Sequence, residues 1–211
     1  MPKVRRGGKV IYIKKANDSA YQQQPRSMYT DDELDAVTWY TGSGYEINTD
    51  LAENPEWIDD TDWAMIKNLD NAINKTKIGD SDTNPQLYRG VGAWGLGVDN
   101  DIQNKLAYMG KEEAVKFINE NLVGTEFVNK GFTSVSLSAQ KAFDFGRYIL
   151  RFQGIRDDIR GMAVSGQQTK DRAFSTFGRD EHEIILQRGF AYMITGAEYY
   201  NGYLFVDVLG Y

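Results

Sequence analysis

Hydrophobic and polar positions along the first third of the chain follow the period of α-helices. Thr30 stands directly before the acidic run Asp31–Glu33, which is the pattern of a threonine N-cap with a glutamate at the capping-box position. One helix is predicted to run from there to Gly42, and residues 41–48 predict a tight break and a second short helix. Apolar residues recur at helical spacing over Pro55–Ile78, which predicts a third helix. The front of the chain is therefore predicted to be a helical lobe.

After residue 85 the pattern changes to the short apolar runs and the alternation that are typical of strands. Strands are predicted at residues 86–91, 126–137, 148–152, 162–165, 184–188, 191–195 and 203–209, and helices at residues 111–119 and 139–145. A helical front followed by a strand-rich back predicts an α+β fold, in which a helical N-terminal lobe packs on a mainly antiparallel, two-sheet β core.

A length of 211 residues fits one domain with a substantial core. Residues 1–29 are interpreted as a basic and polar N-terminal arm, and residues 30–211 as a single domain. Within that domain we expect the helical lobe at residues 30–80 and the β core at residues 86–211. Lys9–Lys14 has the composition of a short strand, but the arm as a whole favours a solvated, disordered tail. The chain is expected to act as a monomer.

The composition narrows the chemistry that this chain can perform. There is no cysteine, so neither a disulfide framework nor a thiolate metal site is available. The single histidine, His182, argues against a zinc centre and against a nucleophile paired with histidine, and no metal is expected. No apolar run is long enough for a transmembrane helix, and the N-terminus lacks the apolar region of a signal peptide. We therefore expect no membrane partner, and action in a cytoplasm, that of a host or target cell.

The net charge of −6 is unevenly distributed along the chain. Met1–Lys15 holds six Lys or Arg residues and no acid, whereas Asp31–Asp62 holds eleven acids and no Lys or Arg. The acidic lobe would repel a polyanion, so a nucleic acid is a less favoured partner than a protein. The basic N-terminal arm could still contact phosphate.

Two carboxylates mark the start of a predicted strand in the stretch F-S-T-F-G-R-D-E-H-E-I-I-L. Glu181 and Glu183 would share one strand face about 6.5 to 7 Å apart, with His182 turned to the other face. Neighbouring like charges favour a site where a cation compensates them, and chemistry through an oxocarbenium-like centre needs such carboxylates. The alternative is that both glutamates are solvated at a strand start.

Two further side chains are candidates for the same site. Arg89 ends a predicted strand and is followed by Gly90, which lets another group approach the backbone closely. Its guanidinium could hold a pyrophosphate bidentately, or could form a surface ion pair. Ser134 and Ser136 share one strand face, where they either satisfy core hydrogen bonds or brace a carboxylate. Trp94 is a plausible neighbour of a ligand.

The order of these motifs carries a resemblance to a known family. The motifs are L-Y-R-G with Arg89, F-T-S-V-S-L with Ser134, and E-H-E with Glu183. This order resembles the R-S-E class of mono-ADP-ribosyltransferases, which includes clostridial binary toxins and phage-encoded transferases. Y-T-G-S-G-Y at residues 40–45, followed by I-N, is similar to a stretch of that family's helical lobe. The resemblance extends from about Thr30 to the C-terminus.

The resemblance implies a role for each candidate residue. Arg89, with Gly90 beside it, would hold the phosphates of NAD, and Ser134 would orient the catalytic glutamate. Glu183 would bind the nicotinamide ribose and stabilise the cation that forms as nicotinamide leaves. Arg147 could be a second phosphate contact.

Acceptor recognition is assigned by the same resemblance. Glu181 would orient or deprotonate the acceptor, and a glutamate at this position goes with arginine acceptors in the family. Phe174 and Phe177 fall in the loop that recognises the acceptor, and residues 166–170 would lie over the nicotinamide. Val135 replaces the usual threonine between the two serines, and its side chain is expected to face away from them.

The resemblance therefore implies transfer of ADP-ribose from NAD, as co-substrate, to an arginine of a target protein, with release of nicotinamide. Two other hypotheses stay open. Water or a nucleic acid could be the acceptor, which would make the chain an NAD glycohydrolase or a nucleic-acid modifier. Alternatively, the chain could be a non-catalytic binding module with the same fold.

Overall fold

A computed structural model describes residues 3–6, 9–12, 14–15, 26–78, 85–164 and 183–211. The helices in these ranges are α1 (Asp31–Glu53), α2 (Asp60–Asn74), α3 (Asn100–Tyr108), α4 (Lys111–Asn121) and α5 (Ala139–Phe143), with short 3-10 turns at Arg26–Met28, Pro55–Trp57 and Ala93–Leu96. The strands are β1 (Lys3–Arg6), β2 (Lys9–Tyr12), β3 (Lys14–Lys15), β4 (Leu87–Val91), β5 (Glu126–Val128), β6 (Thr133–Ser136), β7 (Tyr148–Ile155), β8 (Gly161–Ala163), β9 (Glu183–Leu186), β10 (Ala191–Tyr200) and β11 (Tyr203–Gly210).

The N-terminus of α1 follows the predicted capping box. The Thr30 hydroxyl accepts a hydrogen bond from the Glu33 amide, and the Glu33 carboxylate accepts one from the Thr30 amide at 2.7 Å. The same carboxylate is buried and forms an ion pair with Lys75 at 2.5 Å, just beyond the end of α2. The cap therefore also fixes α1 against α2.

Helix α1 does not break at Gly42, contrary to the prediction of two short helices. It continues through Gly44 to Glu53 and buries Tyr40, Ile47 and Leu51. A glycine inside a helix costs about 1 kcal/mol relative to alanine, whereas full burial of a large apolar side chain contributes about 1.5–3 kcal/mol. The burial of apolar side chains before and after Gly42 and Gly44 therefore outweighs the tendency of these glycines to end the helix. The predicted third helix likewise starts later, because Pro55 opens only a 3-10 turn before α2.

Nine strands form one paired sheet in the order β5-β10-β11-β7-β4-β6-β9-β8, with β3 added to β7. Every neighbouring pair is antiparallel except β7 with β11. The sheet has two halves, which meet where β4 pairs with β6. These two strands pair at a single position, Tyr88 with Ser136. The predicted α+β class with a helical N-terminal lobe and a mainly antiparallel β core is confirmed. The core is predicted as two sheets, and the structure joins its two halves into one sheet through this single position.

Two hydrophobic clusters cover opposite faces of β6 and β9. Val135 and Ile184 belong to the cluster that includes Leu106 of α3 and Ile118 of α4, whereas Ile185 packs with the residues of α1 and α2. Side chains alternate between the two faces of a strand, so Ser134 and Glu183 lie on the face toward the helical lobe. Val135 therefore points away from the serines, as expected.

The N-terminal arm contains strands where a disordered tail is predicted. Lys3–Arg6 pairs with Lys9–Tyr12, and Lys14–Lys15 pairs with the end of β7. The predicted strand at residues 126–137 is two strands, and α3 is not predicted at all. None of the described helices is long and apolar enough to cross a membrane.

Candidate active site

The side chains of three neighbouring strands meet at one cavity of about 940 Å³. Arg89 of β4, Ser134 of β6 and Glu183 of β9 all line it. The strand register brings them together, because Ser136 pairs with Tyr88 on one side and with Glu183 on the other. The predicted convergence of the arginine, the serine and the glutamate is therefore present in the fold.

Arg89 has a donor that the described protein does not use. Its Nη1 is buried and has no hydrogen-bond partner among the residues that the structure describes. Burial raises the pKa of the Tyr192 phenol, and the positive charge of Arg89 partly opposes this rise, so the guanidinium lies within electrostatic range of that ring. Leaving a buried charged donor unpaired costs about 1–3 kcal/mol or more. A diphosphate would supply the missing acceptor, so the site fits a dinucleotide.

Gly90 allows the close packing that shapes this wall of the cavity. A Cβ added to Gly90 would lie 1.8 Å from the carbonyl oxygen of Ala142 in α5. Only glycine lets α5 approach β4 so closely. The interpretation that Gly90 permits a close approach is confirmed, although the neighbour is α5. Phe145, two residues after the end of that helix, then lines the cavity.

Ser134 is tied to the helical lobe through Tyr40 and Asn48. The Tyr40 hydroxyl lies 3.5 Å from Ser134 Oγ and accepts a hydrogen bond from Asn48 Nδ2 at 2.8 Å. Asn48 Oδ1 in turn accepts from the Phe132 amide at 2.7 Å. Burial raises the pKa of Tyr40, the two hydrogen bonds oppose this rise, and the nearby charge of Glu183 adds to it. The buried phenol therefore lies close to both the serine and the glutamate.

Tyr40 and Asn48 have no individual role among the predictions from the sequence. The available signal was their spacing, because Tyr40, Gly44 and Asn48 repeat every four residues and so form one stripe along α1. Gly44 leaves room for the Tyr40 ring, since a Cβ at residue 44 would lie 3.0 Å from that ring. The stripe forms the wall of the cavity that faces β6.

The structure describes some of the predicted site residues and not others. Glu181, Phe174, Phe177 and residues 166–170 lie outside the described residues, so their roles stay predictions. Trp94 does line the cavity, with half of its surface exposed and its ring edge against Phe127.

Arg147 is not among the described residues that line the cavity. Its guanidinium donates to the carbonyl oxygens of Leu106, Ala107 and Met109 at the C-terminal end of α3, and it lies over the Tyr148 ring. This differs from the expected contact with a phosphate, because the donors are engaged in capping a helix. A cation is favoured at this end of a helix.

No cluster of three or more potential metal ligands occurs within the described ranges. The chemistry that we assign to the cavity rests on the guanidinium of Arg89, the carboxylate of Glu183 and the hydroxyls of Ser134 and Tyr40. The guanidinium can bind a phosphate, and the carboxylate can stabilise a positive charge that develops beside it.

Comparison with known proteins agrees with this arrangement. A family model described as ADP-ribosyltransferase exoenzyme matches residues 13–207. The solved structure of Plx2a, an ADP-ribosyltransferase toxin from Paenibacillus larvae, is 25% identical with a TM-score of 0.70, covering 88% of this chain and 89% of the toxin. A comparison with curated protein sequences finds no match.

Two less similar structures show the same fold. C3stau2 from S. aureus, solved with NAD, has a TM-score of 0.70 at 16% identity, covering 87% of this chain and 88% of that one. The Clostridium limosum C3 exoenzyme has a TM-score of 0.68 at 20% identity, covering 87% and 86%. Since the family model matches nearly the whole chain, this protein belongs to the ADP-ribosyltransferase exoenzyme family and is an NAD-dependent ADP-ribosyltransferase.

Proposed function

We propose that this transferase modifies arginine side chains of a target protein and releases nicotinamide. The observation that carries the proposal is that Arg89, Ser134 and Glu183 line one cavity, while Glu181 stands two residues before Glu183 in the sequence. Glu183 then acts on the ribose of NAD, and Glu181 acts on the acceptor.

The described residues suit the first half of the reaction. Arg89 holds the diphosphate of NAD with the donor that has no partner among the described residues, and Ser134, held by Tyr40, orients the glutamate. Glu183 stabilises the positive charge that develops on the ribose as nicotinamide departs. Nicotinamide leaves as a neutral pyridine, so the departure needs no general acid.

An arginine acceptor explains the need for a second carboxylate. A guanidinium is fully protonated at neutral pH and is a poor nucleophile in that form. In the proposed step, a guanidinium nitrogen forms a bond to the ribose carbon as the bond to nicotinamide breaks, and the proton passes from that nitrogen to Glu181. The same carboxylate orients the guanidinium bidentately.

The test uses agmatine, a small molecule with one guanidinium, and labelled NAD. Wild type should form labelled ADP-ribosyl-agmatine and should label a discrete band in a host-cell lysate. Glu181→Gln should abolish both products while nicotinamide release into water continues, whereas Glu112→Gln, an exposed glutamate of α4, should behave as wild type. Nicotinamide release without any labelled acceptor would favour hydrolysis, and labelled nucleic acid would overturn the arginine assignment.

A further inference from the structure

Helix α1 presents an exposed aromatic residue at the rim of the cavity. Tyr45, Thr49 and Glu53 recur every four residues and line the cavity wall. Tyr45 is 84% exposed, so packing against the described residues does not account for a large aromatic side chain at that position. Across the cavity, Trp94 and Phe145 are 50% and 64% exposed. Exposed aromatic residues beside a binding cavity are typical anchors for a protein partner.

Acidic side chains lie directly beside this rim. Glu46 and Asp50 each follow a cavity-lining residue of α1 by one position, which places them on the neighbouring stripe of the helix. Glu53 and Glu56 extend the acidic stretch to the end of α1 and the following turn. None of these four forms an ion pair with a described residue.

The start of α2 adds to the same negative region. Burial raises the pKa of Asp62, and the charges of Asp59 and Asp50 raise it further, so carboxylates of α1 and α2 share one region. Lys130 of the cavity wall is a cation on this side of the site, and its ammonium donates to the Ala52 carbonyl at the end of α1. The carboxylates outnumber this lysine, so the region is negative.

We propose that the acceptor arginine lies in a basic segment of the target protein. This segment docks along α1, between the exposed aromatic residues at the cavity rim (Tyr45, Trp94 and Phe145) and the acidic residues Glu46, Asp50, Glu53 and Glu56. The inference rests on the proposed arginine specificity of the same cavity. An unpaired acidic surface beside the reaction site raises the local concentration of a cationic segment and repels an acidic one. A basic segment also pairs with carboxylates that have no partner within the described chain.

Three synthetic peptides test the proposal, each with one arginine, flanked by lysines, by serines or by glutamates. The lysine-flanked peptide should be modified with the highest kcat/KM and the glutamate-flanked peptide with the lowest, with steps of about tenfold at low salt. The differences in kcat/KM among the three peptides should become smaller at about 0.5 M salt, because the Debye length then falls to a few ångströms. Equal kcat/KM for the three peptides would overturn the proposal.

A matched pair of variants assigns the effect to this surface. The triple variant Glu46→Gln, Asp50→Asn and Glu56→Gln should lower kcat/KM for the lysine-flanked peptide about tenfold, mainly through KM. It should leave agmatine modification and nicotinamide release unchanged. The control variant Glu112→Gln, Glu113→Gln and Glu120→Gln removes the same charge from α4 and should retain the preference. A preference that survives the α1 substitutions would assign it to another surface, whereas failure to modify agmatine would refute the arginine specificity itself.

Discussion

Ser136 and Glu183 pair directly across β6 and β9. On its other side Ser136 pairs with Tyr88, the residue before Arg89. A slip of one residue in the pairing of β9 would turn Glu183 to the opposite face of the sheet. The position of the carboxylate in the cavity therefore depends on strand register, which the buried pairs Val135 with Ile184 and Thr133 with Leu186 hold in place.

Replacing Arg89 by lysine should weaken NAD binding. A lysine keeps the charge but loses the planar fork, and its ammonium cannot reproduce two parallel hydrogen bonds to a diphosphate. We expect KM for NAD in nicotinamide release to rise at least about tenfold, equivalent to about 1.4 kcal/mol. Arg156→Lys, which alters a surface pair with Asp158, is the control and should leave KM unchanged. An unchanged KM in Arg89→Lys would show that the guanidinium does not hold the substrate.

Replacing Gly90 by alanine should destabilise the fold. The new methyl group would overlap the Ala142 carbonyl, and α5 can relieve the overlap only by moving away from β4. Overpacking of this kind costs about 1–3 kcal/mol, which should lower Tm by several degrees. Gly196→Ala is the control, since its Cβ would make an ordinary 3.5 Å contact with Asn119 Oδ1. Equal Tm values for the two variants would contradict the described packing of α5.

The capping contact of Glu33 should make stability depend on pH. Burial alone would raise the pKa of Glu33, but hydrogen bonds from Lys75 and Thr30 outweigh burial and lower it. A lowered pKa in the folded state stabilises the protein above the unfolded value of about 4.3, and this contribution is lost as pH falls through the folded value.

Glu33→Gln should therefore lower the free energy of unfolding by about 2 kcal/mol at neutral pH, and by less at about pH 3, where protonation removes part of the carboxylate's contribution. Urea titrations at the two pH values measure this difference. Asp31→Asn is the matched control, because its side chain is 95% exposed and lies 3.8 Å from Arg26. A loss for Glu33→Gln that is the same at both pH values would rule out the carboxylate's charge as the cause.

Local signals predicted part of this structure well. Thr30 and Glu33 lie three residues apart, so the cap that they form is visible in the sequence and is present in the fold. The α+β class follows from the change of hydrophobic period near residue 85. Gly42 misled the prediction of α1, because the preference of glycine is local while the burial of Ile47 and Leu51 is tertiary.

Long-range contacts determine the parts of the site that local sequence patterns do not predict. Asn48 bonds to the Phe132 amide across 84 residues, and no local pattern predicts such a partner. The family resemblance implied a phosphate contact for Arg147. Since α3 is not predicted from the sequence, the carbonyl oxygens that Arg147 caps could not be identified there. That helix is only nine residues long and buries only Leu106, so few apolar positions mark it in the sequence. The roles of Arg89, Ser134 and Glu183 were predicted from the order of their motifs, and the fold places the three side chains around one cavity.

The most direct test of the central claim is the rate of nicotinamide release by Glu183→Gln at saturating NAD, measured without any acceptor. If the carboxylate stabilises the departing cation, kcat should fall at least about 100-fold while Tm and KM for NAD stay close to wild type. Glu112→Gln, with the same chemical change on an exposed helix, should retain full activity. A Glu183→Gln enzyme that releases nicotinamide at the wild-type rate would contradict the assignment of this cavity as the active site.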